Sequence, residues 1–159
     1  MITFSVEPTD AFARAELVYN PTEYAFGCEP RPPEPDSSVT INTLNLMVDR
    51  RNSRVVYVDG YCPHFGWRET HLTPPTSSAA ALHLHGVQLK PGVGHPLLPN
   101  DPPWPVYVDR GLGWLCLGSP TETGRAIEFV SGCIALIADG QLRALWLHPR
   151  ELPPRPHAH

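Results

Sequence analysis

Proline restricts the fold of this chain more than any other residue type, because 20 of its 159 residues are prolines. Proline fixes φ and has no backbone N–H, so a cluster of prolines cannot lie inside a helix or a central strand. Most of the prolines fall in four clusters, at 30–35, 74–75, 102–105 and 153–156. The ordered stretches between these clusters must therefore be short.

Between the clusters, apolar residues alternate with polar ones, which is the pattern of a half-buried β-strand. In 39–48, the side chains of Leu44, Leu46 and Val48 fall on one face. A second strand-like run at 54–58 follows after five polar residues. Two such runs joined by a short polar segment predict a β-hairpin.

The segment Asp139-Gly140 is the strongest short hairpin signal in the chain, because both residue types tolerate positive φ. The run that follows, 142–147, is apolar on both faces, which predicts a central strand covered on two sides. Further strand-like runs lie at 2–6, 81–89, 106–108, 114–117, 126–130 and 134–137.

These runs predict an all-β fold with at most one short helix. The spacing of strands and turns favours an antiparallel sandwich or a partly open barrel of about eight or nine short strands built from hairpins. The one helix would run from 11 to 18 behind a Thr9 or Asp10 cap, and a strand at 16–19 is the alternative.

The length suits a single domain, which we predict at 1–152. Within it, 27–38 contains almost no apolar residues and is predicted to be an exposed, proline-rich loop. The remaining 153–159 is predicted to be a disordered tail rich in proline and histidine.

Charge and hydropathy exclude several functional classes. The formal net charge is −4, the pI is about 6.0 and there is one lysine, so the basic stripe of a nucleic-acid-binding protein is absent. The sequence has no apolar run of about 18 residues, so no membrane span is predicted. It also has no apolar segment after Met1, so no secretory signal is predicted. We therefore expect a cytoplasmic protein with reduced thiols. Eleven arginines against one lysine resemble the composition of proteins from high-GC bacteria.

Cysteine and histidine are concentrated between positions 62 and 95, where five of the eight histidines and one of the four cysteines fall. Thiolate and imidazole are common zinc ligands. Residues two apart on a strand face the same side, so His83 and His85 could bind one ion together with Cys62 and His64. A zinc site made of these four residues is one hypothesis.

The alternative assigns each of these residues a separate structural role. His83 and His85 would lie on the solvated face of a strand whose Leu82 and Leu84 are buried. No C-x-x-C pair and no H-E-x-x-H motif supports a standard zinc site. A Cys62 nucleophile activated by an imidazole is a further hypothesis, but no local signature of a cysteine protease accompanies it. We predict no catalytic residue, and no cofactor is expected apart from the zinc of the first hypothesis.

Four aromatic residues in loops are the candidates for binding a partner. Tryptophan and tyrosine are enriched in binding hot spots. We select Tyr61, Phe65, Trp67 and Trp104, which lie in or next to segments containing proline and glycine. Packing that anchors a loop is the alternative role for the two tryptophans, whereas Trp114 and Trp146 lie within predicted strands and belong to the core.

The leading hypothesis is a small non-enzymatic β domain that binds a protein partner. An immunity- or antitoxin-like role toward a basic partner is one concrete form of it, since the chain is small and acidic. A metal-binding protein or metal-dependent enzyme that uses the Cys/His residues of 62–95 is the alternative. A carrier that holds a small apolar ligand between its sheets is a further alternative.

Overall fold

The regular secondary structure in the described part of the chain consists of short strands and one 3-10 turn. A computed structural model describes residues 1–9, 15–32 and 35–156. The strands are β1 Thr3–Pro8, β2 Glu16–Asn20, β3 Ala25–Glu29, β4 Ser37–Ile41, β5 Leu44–Asp49, β6 Arg54–Tyr61, β7 Arg68–Glu69, β8 Ser78–His85, β9 Gly94–Pro96, β10 Val106–Asp109, β11 Trp114–Gly118, β12 Arg125–Val130, β13 Cys133–Ala138 and β14 Gln141–Leu147. The 3-10 turn covers His64–Gly66, between β6 and β7.

The all-β prediction is confirmed, although the described residues form fourteen strands instead of the expected eight or nine. Two of the additional strands, β7 and β9, are two and three residues long, too short to show an alternating pattern. They form through parallel pairing with β10 and β4. Strand β2 confirms the strand alternative at 16–19, and residues 11–14 of the predicted helix lie outside the described residues.

The strands form one sheet that curls around a shared core and stays open at its ends. Its main path runs β7-β10-β11-β14-β13-β12-β8-β6-β5-β4-β9, and β1, β2 and β3 branch from it. Six pairs of consecutive strands form antiparallel hairpins, including those of β4–β5–β6 and β12–β13–β14. Residues from both halves of this path meet in one large hydrophobic cluster, so the sheet closes over its own apolar face.

Strand β14 is covered on both faces, as its apolar sequence predicts. Leu145 and Leu147 join the large cluster, whereas Ala144 and Trp146 join a second one on the opposite face. Trp114 packs against that second cluster with its ring centroid 6.4 Å from that of Trp146. The two tryptophans assigned to the core therefore contribute to it.

The predicted hairpin at Asp139-Gly140 joins β13 to β14. Both residues have positive φ, 54° and 73°, as a two-residue hairpin of type I′ requires. The hairpin predicted after 39–48 is also present, as the antiparallel pair of β5 and β6.

The predicted exposed loop at 27–38 is shorter than the sequence indicated. Residues 27–29 belong to β3 and residues 37–38 belong to β4. Ser37 and Ser38 are buried, and the Ser37 hydroxyl donates a hydrogen bond to the carbonyl oxygen of Val93 at 3.2 Å. Polar residues can belong to these strands because segments distant in sequence supply their hydrogen-bond partners. Local composition does not predict such partners.

Part of the predicted disordered tail lies against the domain. The carbonyl oxygen of Pro153 accepts a hydrogen bond from Arg110 at 2.7 Å. Arg155 donates to both carboxylate oxygens of Glu69. These contacts fix residues 153–155, whereas 157–159 lie outside the described residues. The described ranges contain no helix with the length and apolar character needed to cross a bilayer.

Candidate functional site

The last residue of β6 and the loop that follows it expose two of the predicted partner-binding residues. Gly60, with φ of 113°, turns the chain at the end of β6, and Pro63 precedes the 3-10 turn with φ of −63°. The side chains of Tyr61 and Phe65 are held outward there, and 46% and 60% of their respective surfaces are exposed. A proline and a glycine therefore set the local backbone that presents both rings.

Tyr24 joins these two rings, although no sequence pattern predicts this contact. Its ring centroid lies 5.3 Å from that of Phe65 and 6.4 Å from that of Tyr61, both edge-to-face. We call Tyr24, Tyr61 and Phe65 the aromatic patch. The imidazole of His64 lies beside it, 5.7 Å from the Tyr24 ring.

Backbone hydrogen bonds fix Tyr24 in a strained conformation. Its φ is 57°, in the left-handed region that bulky residues rarely adopt. The Asn20 side chain accepts hydrogen bonds from the backbone of Thr22 and Glu23, at 2.9 and 3.2 Å. The Cys62 backbone N–H donates to the Tyr24 carbonyl oxygen at 2.7 Å. The turn at 21–24 is therefore held against the 61–65 loop from both sides.

A second layer of rings lies beneath the aromatic patch and contains Trp67. The Tyr19 ring packs edge-to-face on Phe26 and Trp67, with centroids 4.8 and 5.0 Å apart. The Tyr19 hydroxyl donates to the Cys62 carbonyl oxygen at 2.7 Å, and burial raises the pKa of this phenol. Trp67 is half-buried in this layer, so the structure places it as an anchor beneath the loop that Tyr61 and Phe65 expose.

A small apolar cavity opens beside the aromatic patch. Its volume is about 210 Å³. Its walls come from the 61–67 loop, the tip of the β4–β5 hairpin and two neighbouring strands; they include Tyr61, Cys62, Phe65, Trp67, Leu44, Val106 and Leu117. Three of the four predicted partner-binding residues therefore line one cavity.

Trp104, the fourth predicted residue, lies on the other side of the hairpin tip. Asn42, at that tip with φ of 56°, accepts a hydrogen bond from the Trp104 backbone N–H at 2.8 Å and donates one to its carbonyl oxygen at 3.0 Å. The half-buried Trp104 side chain lines two other cavities, of about 570 and 250 Å³. It does not belong to the aromatic patch.

The four residues of the zinc hypothesis fall into two separate places. His83 lies opposite Arg54, the first residue of β6, whereas Cys62 follows the last residue of that strand. Eight residues of strand span roughly 26 Å. Zinc ligands must lie within about 4 Å of one another, since each bond to the metal is about 2.0–2.3 Å long.

Each of the two strand histidines has a local partner. His83 approaches the Asn52 carbonyl oxygen at 3.1 Å and the Glu7 carboxylate at 3.3 Å. His85 hydrogen-bonds the Ser5 hydroxyl at 2.7 Å. Within residues 1–9, 15–32 and 35–156, no group of three or more His, Cys, Asp or Glu side chains is arranged to hold a metal ion.

The Cys62 thiol has the properties of a packed residue. It is 6% exposed, and burial raises its pKa to about 11, although an interaction with the Trp67 indole lowers it in part. A reactive cysteine has a depressed pKa and an electropositive setting. Burial lowers the pKa of the neighbouring His64, and the charge of Arg110 lowers it further, which disfavours the imidazolium that would stabilise a thiolate.

Comparisons with known proteins add no functional information to this geometry. No protein-family model, no curated protein and no solved structure matches the chain.

Proposed function

We propose that this chain is a non-enzymatic β domain that binds a protein partner through the aromatic patch. The observation that carries the proposal is the clustering of exposed rings. Seven large apolar side chains are exposed among the described residues, and Tyr24, Tyr61 and Phe65 are three of them, in mutual contact through Tyr24. Contiguous exposed apolar groups mark interaction sites, whereas isolated ones are ordinary.

The rigid support of the patch favours binding. Ordering flexible side chains on association opposes affinity, and a surface that is already fixed avoids that loss. The Tyr24 backbone is held in a conformation that costs about 1–3 kcal/mol, although its side chain lies at the surface. Strain of this size at a surface aromatic residue supports a role in recognition, since a glycine or asparagine would form the same turn more easily.

The adjacent cavity supports the same function. Ligand sites usually measure about 300–1,000 Å³. The cavity of about 210 Å³ lies below that range and is lined mainly by apolar side chains. It has the leucine, valine and tryptophan lining that an apolar ligand carrier would need, but its size suits one side chain inserted by a partner next to Phe65.

The proposal includes a partner of basic character and a cytoplasmic setting. The net charge of −4 favours encounter with a positively charged protein, as in an immunity- or antitoxin-like role. All four cysteines are free, which is consistent with a reducing compartment.

A pull-down from the native host tests the proposal with matched variants. The double substitution Tyr61→Ser and Phe65→Ser removes the centre of the patch, and Leu112→Ser removes a similarly exposed apolar side chain in the β10–β11 turn. We expect the protein captured by the wild type to be lost from the patch variant and kept by the Leu112 variant. Hot-spot residues contribute about 2 kcal/mol or more, so the Kd of the purified pair should rise at least about 30-fold. Equal capture by both variants would contradict the proposal.

A further inference from the structure

A larger cavity lies away from the aromatic patch and shares no lining residue with the smaller cavity beside that patch. It measures about 570 Å³ and lies between the 97–105 loop, the chain terminus at Met1 and strands β11 and β14. Its volume is within the range typical of small-molecule sites, about 300–1,000 Å³. No residue of the proposed protein contact lines this cavity.

One wall of this cavity is an apolar surface centred on Trp104. Gly118, with φ of 98°, lies directly against the indole, and a Cβ built on it would be 3.2 Å from Trp104 Cε3. Leu97, Leu98 and Leu142 complete this wall. An aromatic or branched aliphatic group would therefore find an aromatic face and leucine side chains there.

A β-bulge places Arg143 in the same cavity. Leu142 pairs with Ile137 and Ala144 pairs with Leu136, so Arg143 is the extra residue of β14. A bulge of this kind redirects a side chain relative to the regular strand. Arg143 is half-buried and is one of the residues that line the cavity. Among the described residues, its guanidinium has no ion pair or hydrogen bond. A guanidinium next to this apolar wall has the geometry to bind a carboxylate through two hydrogen bonds.

Two carboxylates also line the cavity, Asp101 and Glu122. Both residues are exposed, and neither side chain forms an ion pair with a cation among the residues that the structure describes. They would repel a simple anion and attract an ammonium group. Together with Arg143, they give the cavity both signs of charge next to an apolar wall.

We propose that this cavity binds a small amphipathic zwitterion, in the chemical class of a free amino acid with a large apolar side chain. The carboxylate binds Arg143, the ammonium group faces Asp101 and Glu122, and the side chain packs on Trp104. This arrangement sets the ligand carboxylate against Arg143 and the single ammonium charge against two acidic side chains, and it buries the apolar body of the ligand.

Isothermal titration with three matched probes tests the charge requirement on the full chain. L-phenylalanine carries both charges, hydrocinnamate lacks the ammonium group and phenethylamine lacks the carboxylate. We expect L-phenylalanine to bind with a Kd on the order of 1 mM, which is the affinity available to a ligand of this size. Each of the other two probes should bind about tenfold more weakly, because each leaves charged groups of the cavity unpaired.

Variants locate the binding. Arg143→Gln should weaken L-phenylalanine about tenfold, whereas Arg125→Gln, an exposed arginine outside the cavity, should leave the Kd unchanged. The double variant Asp101→Asn and Glu122→Gln should remove the preference for L-phenylalanine over hydrocinnamate. Unfolding midpoints confirm that each variant is folded. No binding of L-phenylalanine up to about 20 mM, equal weakening by the two arginine variants, or tighter binding of hydrocinnamate would each overturn the inference.

Discussion

Replacing Gly118 with alanine tests the packing of the large cavity and of the sheet beneath it. Gly118 is the last residue of β11 and pairs with Ala144 of β14. A Cβ at this position would lie 2.9 Å from the Arg143 carbonyl oxygen and 3.2 Å from Trp104 Cε3. The first contact is with backbone, so it cannot be relieved by rotating a side chain.

Two effects add in this substitution. An alanine with positive φ costs about 1–2 kcal/mol relative to glycine. Forcing a methyl group into a packed site costs about 1–3 kcal/mol. The sum, roughly 3 kcal/mol, should lower the Tm by about 6–12 °C for a chain of this length. The substitution should also push the Trp104 indole toward the cavity and weaken L-phenylalanine binding there.

Thermal unfolding followed by circular dichroism measures the stability change, and Gly27→Ala is the matched control. Gly27 lies within β3, has no positive φ, and a Cβ there would meet nothing within 4 Å. We expect the control to change the free energy of unfolding by less than about 0.5 kcal/mol. If Gly118→Ala changed the free energy of unfolding as little as the control does, the tight approach of β11, β14 and Trp104 would be refuted.

Three further predictions concern single groups. The Asp109 carboxylate is buried and accepts hydrogen bonds from the backbone of Leu72, Gly111 and Leu112, which hold its pKa below the ordinary 3.8. Its depressed pKa stabilises the folded state above about pH 4, and this contribution is lost as the pH falls through the folded pKa. Urea unfolding should therefore show Asp109→Asn to be less stable than the wild type at pH 7. The difference in the free energy of unfolding should become smaller toward pH 3. Cys62, with a pKa near 11, should react with iodoacetamide roughly 100-fold more slowly at pH 8 than free cysteine, and peptide mapping should find the half-buried Cys28 modified first. Because the zinc-hypothesis residues lie apart, added Zn²⁺ should leave the Tm unchanged; a rise of several degrees at micromolar zinc would revive the metal hypothesis.

Alternation and turn chemistry predicted the parts of the fold that are encoded locally. The β13–β14 hairpin follows from Asp139-Gly140, and the double burial of β14 follows from its unbroken apolar run. β7 and β9 could not be predicted in this way, because each is defined by parallel pairing with a strand distant in sequence. The same reason explains the polar Ser37 and Ser38 inside β4.

The candidate site could be predicted only in part, because its geometry depends on contacts between distant segments. Tyr61 and Phe65 were found from their residue type and loop position, and both are exposed. Tyr24 lies 37 positions before Tyr61 and reaches the patch through a turn capped by Asn20. The sequence signal for this turn is an asparagine followed by polar residues. Such a signal predicts the turn, but it does not predict which distant segment the turn will contact.

The tip of the β4–β5 hairpin joins the two proposed binding surfaces. Asn42 holds the backbone of Trp104 by two hydrogen bonds, and the hydroxyl of the adjacent Thr43 donates to the Tyr61 carbonyl oxygen. One face of the tip therefore positions the wall of the large cavity, and the other positions the aromatic patch. Because no other side chain is seen to hydrogen-bond the Trp104 backbone in the described ranges, a shift of this tip would alter both surfaces together. We therefore expect a ligand that orders the Trp104 loop to restrict, through these contacts, the loop that carries Tyr61 and Phe65.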